Sequence, residues 1–228
     1  MTTITTDARK WRLIDGSRRR LFSQIGLRLI DELTSKGPLG QVRSRLSISD
    51  GLGGWIATEI RPIKTASGIL AYPELEGPKA QVAGQPARRY RVQIEAQFYR
   101  PIYRTTADGI EFDIFPWNDE NSPQTVNPNQ PIDVKLAPAT NYPFPSHVPV
   151  VRGVVLDAGK PVGDVEVIGS NVERVVTDER GSFSLPIRSK PNNVPFPIDA
   201  IDHRTTKTGN TPVTLPDDLG KNKTINIS

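Results

Sequence analysis

Groups able to exchange protons, hold a metal or attack an electrophile are sparse in this sequence. There is no cysteine, which excludes a thiolate nucleophile, a thiolate metal site and a disulfide framework. Histidine occurs only at His147, inside a proline-rich run, and at His203, in a loop-like stretch. A histidine-based zinc site would need both to converge with distant carboxylates, so no metal is expected. Acids cluster at Glu111-Phe112-Asp113 and at Trp117-Asn118-Asp119-Glu120. Two carboxyls at the right separation, one with a raised pKa, can hydrolyse a glycoside. In Ile110-Glu111-Phe112-Asp113-Ile114, however, the acids alternate with apolar residues, which is the pattern of a strand with one wet face. Asp217-Asp218 could touch calcium, but no D-x-D-x-D-G loop supports it. Neither a Gly-rich phosphate loop, nor G-x-S-x-G, nor H-E-x-x-H is present. The expectation is a protein that is not an enzyme, has no catalytic residue and takes no cofactor. An enzyme built on an unrecognised acid pair would instead lose its activity on replacement of Glu111 or Asp113.

Binding residues are a separate question. Trp55, Trp117, Tyr99 and Tyr103 could line a sugar or peptide groove, although aromatics in β-proteins mostly serve the core. Trp55 follows Asp50-Gly51-Leu52-Gly53-Gly54, and Trp117 precedes a polar loop, so these two are the candidate interface anchors. The net charge of +4 is concentrated at the N-terminus, where Arg9, Lys10, Arg12, Arg18, Arg19 and Arg20 face only Asp7 and Asp15. Such a run can touch phosphate. An arm that is simply solvated or lies on an acidic neighbouring subunit is the simpler expectation, with Arg18, Arg19 and Arg20 as candidate interface residues and nucleic acid not expected as a partner. The first residues lack the pattern of a secretory signal, and no run is long and apolar enough to span a bilayer. Synthesis in the cytoplasm and no direct membrane insertion are therefore expected.

What must position these residues is a β scaffold. The 228 residues suit two domains of roughly 100 residues each. With 21 prolines and 18 glycines, short elements joined by turns are favoured over long helices. An internal repeat supports the division. Ile25-Gly26-Leu27-Arg28-Leu29-Ile30-Asp31 and a later Pro38-Leu39-Gly40-Gln41-Val42 correspond to Val151-Arg152-Gly153-Val154-Val155-Leu156-Asp157 and Pro161-Val162-Gly163-Asp164-Val165. Thr65-Ala66-Ser67-Gly68-Ile69-Leu70-Ala71-Tyr72-Pro73 then matches Thr177-Asp178-Glu179-Arg180-Gly181-Ser182-Phe183-Ser184-Leu185-Pro186. Each half continues with an alternating strand, Tyr90 to Phe98 or Phe196 to Asp202, and closes with Ile132-Asp133-Val134-Lys135-Leu136 or Thr224-Ile225-Asn226-Ile227. Alternation of this kind predicts antiparallel sandwiches, one face buried and one wet.

The expected organisation is all-β. Residues 1–20 form a basic N-terminal arm, 21–137 a first sandwich with loop insertions, 138–149 a proline-rich linker and 150–228 a second sandwich. The linker cannot be a helix or a central strand, and its prolines predict a stiff joint with Tyr142 and Phe144 packed into it as candidate interface residues. The insertions at 74–89 and 118–131 are expected as surface decoration or subunit contacts.

Residues 150–185, through Val151-Arg152-Gly153-Val154-Val155, Gly159-Lys160-Pro161-Val162-Gly163-Asp164-Val165 and Thr177-Asp178-Glu179-Arg180-Gly181-Ser182-Phe183, resemble the carboxypeptidase regulatory-like domain family. The resemblance covers residues 150–228 well and the first half weakly. It implies two tandem Ig/transthyretin-like antiparallel β-sandwiches acting as accessory, spacer or binding modules. Together with Thr65 to Pro73 and Tyr142-Pro143-Phe144-Pro145, the arrangement is similar to proteins of contractile injection systems and phage-like tails. That similarity implies a structural component of a particle, at its cap, terminator or baseplate periphery, whose partners are other tail subunits or copies of itself. The alternative is a carbohydrate- or peptide-binding module using the 118–131 loop and nearby aromatics.

Overall fold

The computed structural model describes residues 23–73, 75–77, 79, 84–102, 108–118, 131–169, 173–188 and 193–228, and the backbone of 3–6 and 9–12. Among the described residues the chain is all-β, with no helix and several sheets. In the N-terminal arm, β1 (Thr3–Thr6) and β2 (Arg9–Arg12) pair antiparallel and, among the described residues, join no other sheet.

Alternation sets the next elements. In β8 (Arg88–Ala96), Tyr90, Val92 and Ile94 are buried while Arg89 and Glu95 face water. β3 (Gly26–Asp31) buries Leu27, Leu29 and Asp31 and exposes Arg28. They belong to a nine-stranded sheet with β4 (Val42–Ser49), β5 (Trp55–Ala57), β6 (Ile63–Lys64), β7 (Leu70–Ala71), β9 (Tyr99–Pro101), β10 (Ile110–Ile114) and β11 (Ile132–Pro138). Its order is β5-β4-β8-β9-β11-β3-β7-β6, with β10 also on β8. Short β9 touches β8 at Ala96↔Tyr99 and β11 at Leu136↔Pro101, so it acts as the fold line. The two arms of the sheet then close on one core. Leu27, Leu29, Val134 and Leu136 come from one arm, and Leu46, Val92, Phe112 and Ile114 from the other.

A second core lies between two four-stranded sheets. One holds β12 (Val150–Asp157), β13 (Lys160–Pro161), β16 (Ser182–Pro186) and β19 (Asn222–Ile227). The other has the order β15-β14-β17-β18, from β14 (Glu166–Gly169), β15 (Glu173–Val176), β17 (Phe196–Asp202) and β18 (Lys207–Val213). Val151, Val155, Phe183, Leu185 and Ile225 meet Val167, Val175, Ile198 and Ala200. Gly153 is fixed by packing, since a Cβ there would collide with the Lys223 carbonyl oxygen and the Phe183 ring. Gly153→Ala should destabilise the protein by about 2 kcal/mol, because the obstacle is partly backbone and cannot repack. Chemical denaturation checks this, as a lower midpoint with an unchanged slope.

The sequence repeat recurs in the pairing. β3 runs parallel to β11, with Leu27↔Ile132, Leu29↔Val134 and Asp31↔Leu136; β12 runs parallel to β19, with Gly153↔Lys223, Val155↔Ile225 and Asp157↔Ile227. The opposite neighbour is antiparallel in each case, through Leu27↔Leu70 and Gly153↔Phe183. The neighbours β5-β4-β8-β10 correspond to β15-β14-β17-β18. One detail differs from the sequence comparison, which sets Thr65 beside Thr177. The hydrogen bonds set Thr65 beside Asp178. Ile69 N donates to Thr65 Oγ1 at 3.1 Å, and Ser182 N donates to Asp178 Oδ1 at 2.9 Å. Gly68 and Gly181 follow three residues after these acceptors at φ 81° and 69°, where a side chain would be strained. A hydroxyl and a carboxylate perform the same acceptor role, so identity of residue type misplaces the register by one. Thr177 instead donates to Val162 O at 2.9 Å.

Candidate interaction surface

The acids singled out for chemistry are engaged structurally. Glu111, on the outer side of β10, pairs with Arg89 of β8 at 2.7 Å, and Asp113 stands exposed on the same face. Asp218 accepts from Thr214 N at 2.8 Å and pairs with Lys223 at 2.8 Å and Lys221 at 3.4 Å. The Lys223 ammonium and the Thr214 amide hold its carboxyl down at about 2, so it is a charged clasp on the 214–219 turn. His203 Nε2 lies 2.7 Å from Glu166, and His147 lies apart in the 138–149 segment. Among the described residues no group of three or more His, Asp and Glu side chains could hold a metal ion.

The predicted interface residues fall into three settings. Arg18, Arg19 and Arg20 lie outside the described residues, as do Tyr103 and 119–130 of the polar loop. Trp117 is buried, and its Nε1 donates to Leu75 O at 2.9 Å. It seals a segment expected as surface decoration: Leu75 and Glu76, inside the 74–89 insertion, are buried. Glu76 is the hub there, accepting from Tyr90 at 2.5 Å, Lys79 at 2.5 Å and Arg88 at 3.1 Å. Burial opposes its charge, but the bonds from Lys79, Tyr90 and Arg88 outweigh burial and hold the carboxyl below its ordinary range. Tyr142 is also buried. It packs edge-on against Tyr99 at 5.4 Å and beside Phe144 at 4.8 Å, and its hydroxyl donates to Asp31 at 2.8 Å. The segment after β11 is thereby anchored to the N-terminal core.

Asp31 is a centre that local spacing does not reveal. Fully buried, it accepts from Leu33 N at 2.8 Å, Thr34 Oγ1 at 2.9 Å, Tyr142 at 2.8 Å and Tyr99 at 3.2 Å. Its counterpart in the repeat, Asp157, has a Lys207 partner at 2.6 Å near the surface.

Next to Asp31 the two cores meet through ions. Arg174 of β15 donates twice to Glu32, at 2.9 and 2.7 Å, and once to Glu166 at 3.2 Å. Arg188 Nη1 donates to Leu33 O at 2.8 Å. Both bonds to Glu32 end on its Oε1, and the guanidinium is held on its other side by Glu166, so Arg174 bridges two carboxylates. Since Arg174 and Glu32 are both partly wet, Arg174→Ala should cost only about 1 kcal/mol. It should nevertheless broaden the distances between spin labels placed on β8 and β18, as seen by double electron-electron resonance.

The remaining candidate, Trp55, sits at a sheet edge. It opens β5 under the Arg91 guanidinium, 4.5 Å from its ring, in a cation–π contact. Around it, large apolar side chains face solvent: Leu52 is 94% exposed, Ile56 57%, Ile60 41% and Ile63 45%. A concentration of this kind along one hairpin and the strand after it is what a contact surface requires. No family model, curated protein or solved structure matches this chain. The functional reading therefore rests on the residues themselves.

Proposed function

We propose that the chain is a non-enzymatic structural subunit of a multi-subunit particle of the contractile-injection or phage-tail kind, working through subunit contacts. The observation that carries this reading is the exposed apolar stretch Leu52, Ile56, Ile60 and Ile63 on an otherwise cross-braced β scaffold. The ionisable groups with strong partners, Glu76, Asp218 and Arg174, brace loops and join the cores. Recurrence of a first strand between a parallel last strand and an antiparallel middle strand supports two tandem transthyretin-like sandwiches of the carboxypeptidase regulatory-like kind. On this reading, residues 138–149 are the stiff joint, the basic arm docks on a neighbouring subunit, and the protein is made in the cytoplasm before assembly.

The test is made on tail-like particles purified by density gradient from the source cells. The chain is expected in them at fixed stoichiometry by mass spectrometry, and its deletion should leave incomplete particles in negative-stain images. Particles that lack the chain and assemble normally without it would overturn the reading. Saturable binding of the isolated chain to a glycan or peptide array, in that case, would establish the ligand-binding alternative.

A further inference from the structure

We propose that the uncovered half of β4, residues 42–46, takes an extended acidic segment of a partner polypeptide as an added strand, whose acids fall beside Arg43 and Arg45.

Gln97 N donates to Gln41 O at 3.0 Å, so along the ladder with β8 residues 41, 43 and 45 turn their main-chain groups to β8, while Val42, Ser44 and Leu46 turn theirs away. On that far side β5 pairs only with residues 47–49. The last tie is Leu46 O, which accepts from Thr58 N at 2.9 Å and from Thr58 Oγ1 at 3.0 Å. Beyond it the chain leaves β4, and a groove of about 240 Å³ opens between residues 43–46 and 58–61. The main-chain groups of Val42 and Ser44 there have no partner strand among the described residues.

The repeat shows the same strand with its cover in place. Gly163-Asp164-Val165 matches Gly40-Gln41-Val42, so Val42 and Ser44 correspond to Val165 and Val167. Val165 N donates to Thr177 Oγ1 at 2.9 Å, Val165 O accepts from Thr177 N at 2.9 Å, and Val167 pairs with Val175 of β15. In β4 the equivalent positions stand open.

Charge selects the occupant. Arg43 and Arg45 are both exposed on the wet face of β4. Arg43 forms no ion pair among the described residues, because Glu95, its neighbour on β8, turns to Arg45. That contact, at 3.4 Å between two exposed side chains, holds Arg45 only weakly. The facing wall carries Glu59 and Arg61, one charge of each sign, so the β4 arginines set the sign of the groove. The chain itself shows which strand suits two arginines at this spacing. Arg89-Tyr90-Arg91 of β8 lies beside Glu111-Phe112-Asp113 of β10, with Glu111 across from Arg91 and Asp113 across from Arg89. Arg89 holds Glu111 at 2.7 Å, and Arg28 of β3 likewise holds Asp133 of β11 through two bonds, at 2.7 and 2.8 Å. An incoming acid–apolar–acid segment repeats this arrangement. Its middle residue exchanges main-chain bonds with Ser44 and turns its side chain to the core face, which leaves the two acids on the wet face with Arg43 and Arg45. Ser44 is held ready for this, since its Oγ is bonded from the core side by the Tyr72 hydroxyl at 2.8 Å. The contact does not depend on membership of a particle.

The probe is an end-capped, fluorescein-labelled peptide, Gly-Thr-Glu-Val-Glu-Thr-Gly. Its fluorescence anisotropy with the full chain is expected to show saturable binding that weakens as salt rises. The peptide with Lys in place of Glu should not bind, nor should the one with Pro in place of Val, which lacks the N–H that meets Ser44. Arg43→Ala/Arg45→Ala should weaken binding about tenfold. Arg43→Glu/Arg45→Glu should transfer the preference to the Lys peptide, with an unchanged circular dichroism spectrum. In NMR hydrogen exchange, the peptide should slow the amides of Val42 and Ser44 and leave those of Trp55 and Ala57 at their own rates. Absence of saturable binding overturns the proposal, as does affinity for the Glu peptide that survives Arg43→Glu/Arg45→Glu, or slowed exchange confined to other residues. Equal displacement of the peptide by a thymidine oligonucleotide would reduce the groove to a basic patch and overturn it too. Amides of Val42 and Ser44 already protected in the concentrated chain alone would assign the edge to a second copy instead. All of these failures leave the particle reading intact.

Discussion

Replacing Asp31 by alanine is expected to lower the unfolding free energy by about 3 kcal/mol, while the same change at Asp157 costs less than about 1 kcal/mol. The two residues occupy equivalent places in the repeat, so the difference comes from environment alone. Asp31→Ala leaves the buried hydroxyl of Tyr142 and the partly buried amide of Leu33 without their acceptor. Each orphaned donor costs about 1–3 kcal/mol, and relief from burying a carboxylate returns part of the total. Asp157 loses only a partly exposed lysine pair. Urea denaturation gives both values. Asp31→Ala should also speed proteolysis in residues 139–144, whose anchor is Tyr142. Equal costs at the two positions would show that the Tyr99–Tyr142–Asp31 cluster contributes little.

Glu76→Ala should be nearly as damaging, at about 3 kcal/mol, since the buried Tyr90 hydroxyl loses its acceptor and the 75–79 segment loses two cationic ties. Its pH dependence distinguishes it from Asp31→Ala. The folded-state pKa of Glu76 lies below its ordinary value of 4.5, so the charged form is the one that folding stabilises. That contribution is fully present above the ordinary value and disappears as pH falls through the folded pKa. The stability gap between wild type and Glu76→Gln should accordingly be constant at neutral pH and shrink in acid. A gap that widened in acid would mean that Glu76 is folded in its protonated form. Asp218 and Asp202, both also held below their ordinary values, contribute to the acid slope in wild type and variant alike and cancel in the difference.

How much of this was legible in the sequence depended on whether the signal was local. Strict alternation identifies β8 and β10, and self-similarity aligns β3 with β12 and β11 with β19. β18 was not legible, because Lys207-Thr208-Gly209-Asn210-Thr211-Pro212-Val213 offers almost no apolar residue to alternate, and pairing with β17 makes it a strand. β4 was obscured by Arg43 and Arg45 on its wet face. The bracing centres were hidden for another reason. Asp31 meets Tyr99 and Tyr142 across separations of 68 and 111 residues, so no spacing rule could join them. Glu76 lay in a stretch whose prolines, glycines and polar residues read as an ordinary surface loop. Trp55 and Trp117 are both aromatics beside polar runs, yet one borders an open edge and the other is buried under Leu75 and Glu76. Only the third dimension separates them.

The parallel pairing of β3 with β11 also fixes an order of events during synthesis. Arg28 and Asp133, which face each other across these strands at 2.7 Å, are 105 residues apart in the chain. While the ribosome works through that interval, Leu27 and Leu29 lack the neighbours Ile132 and Val134 beside which they pack in the finished protein. Bringing such distant segments together has a loop-closure cost that no local contact offsets in advance. β12 waits in the same way for β19, which supplies Ile225 and Ile227. Neither core can be assembled gradually from its first strand outward, and a chain stopped just before Ile132 would hold most of the N-terminal core residues without the strand that closes them.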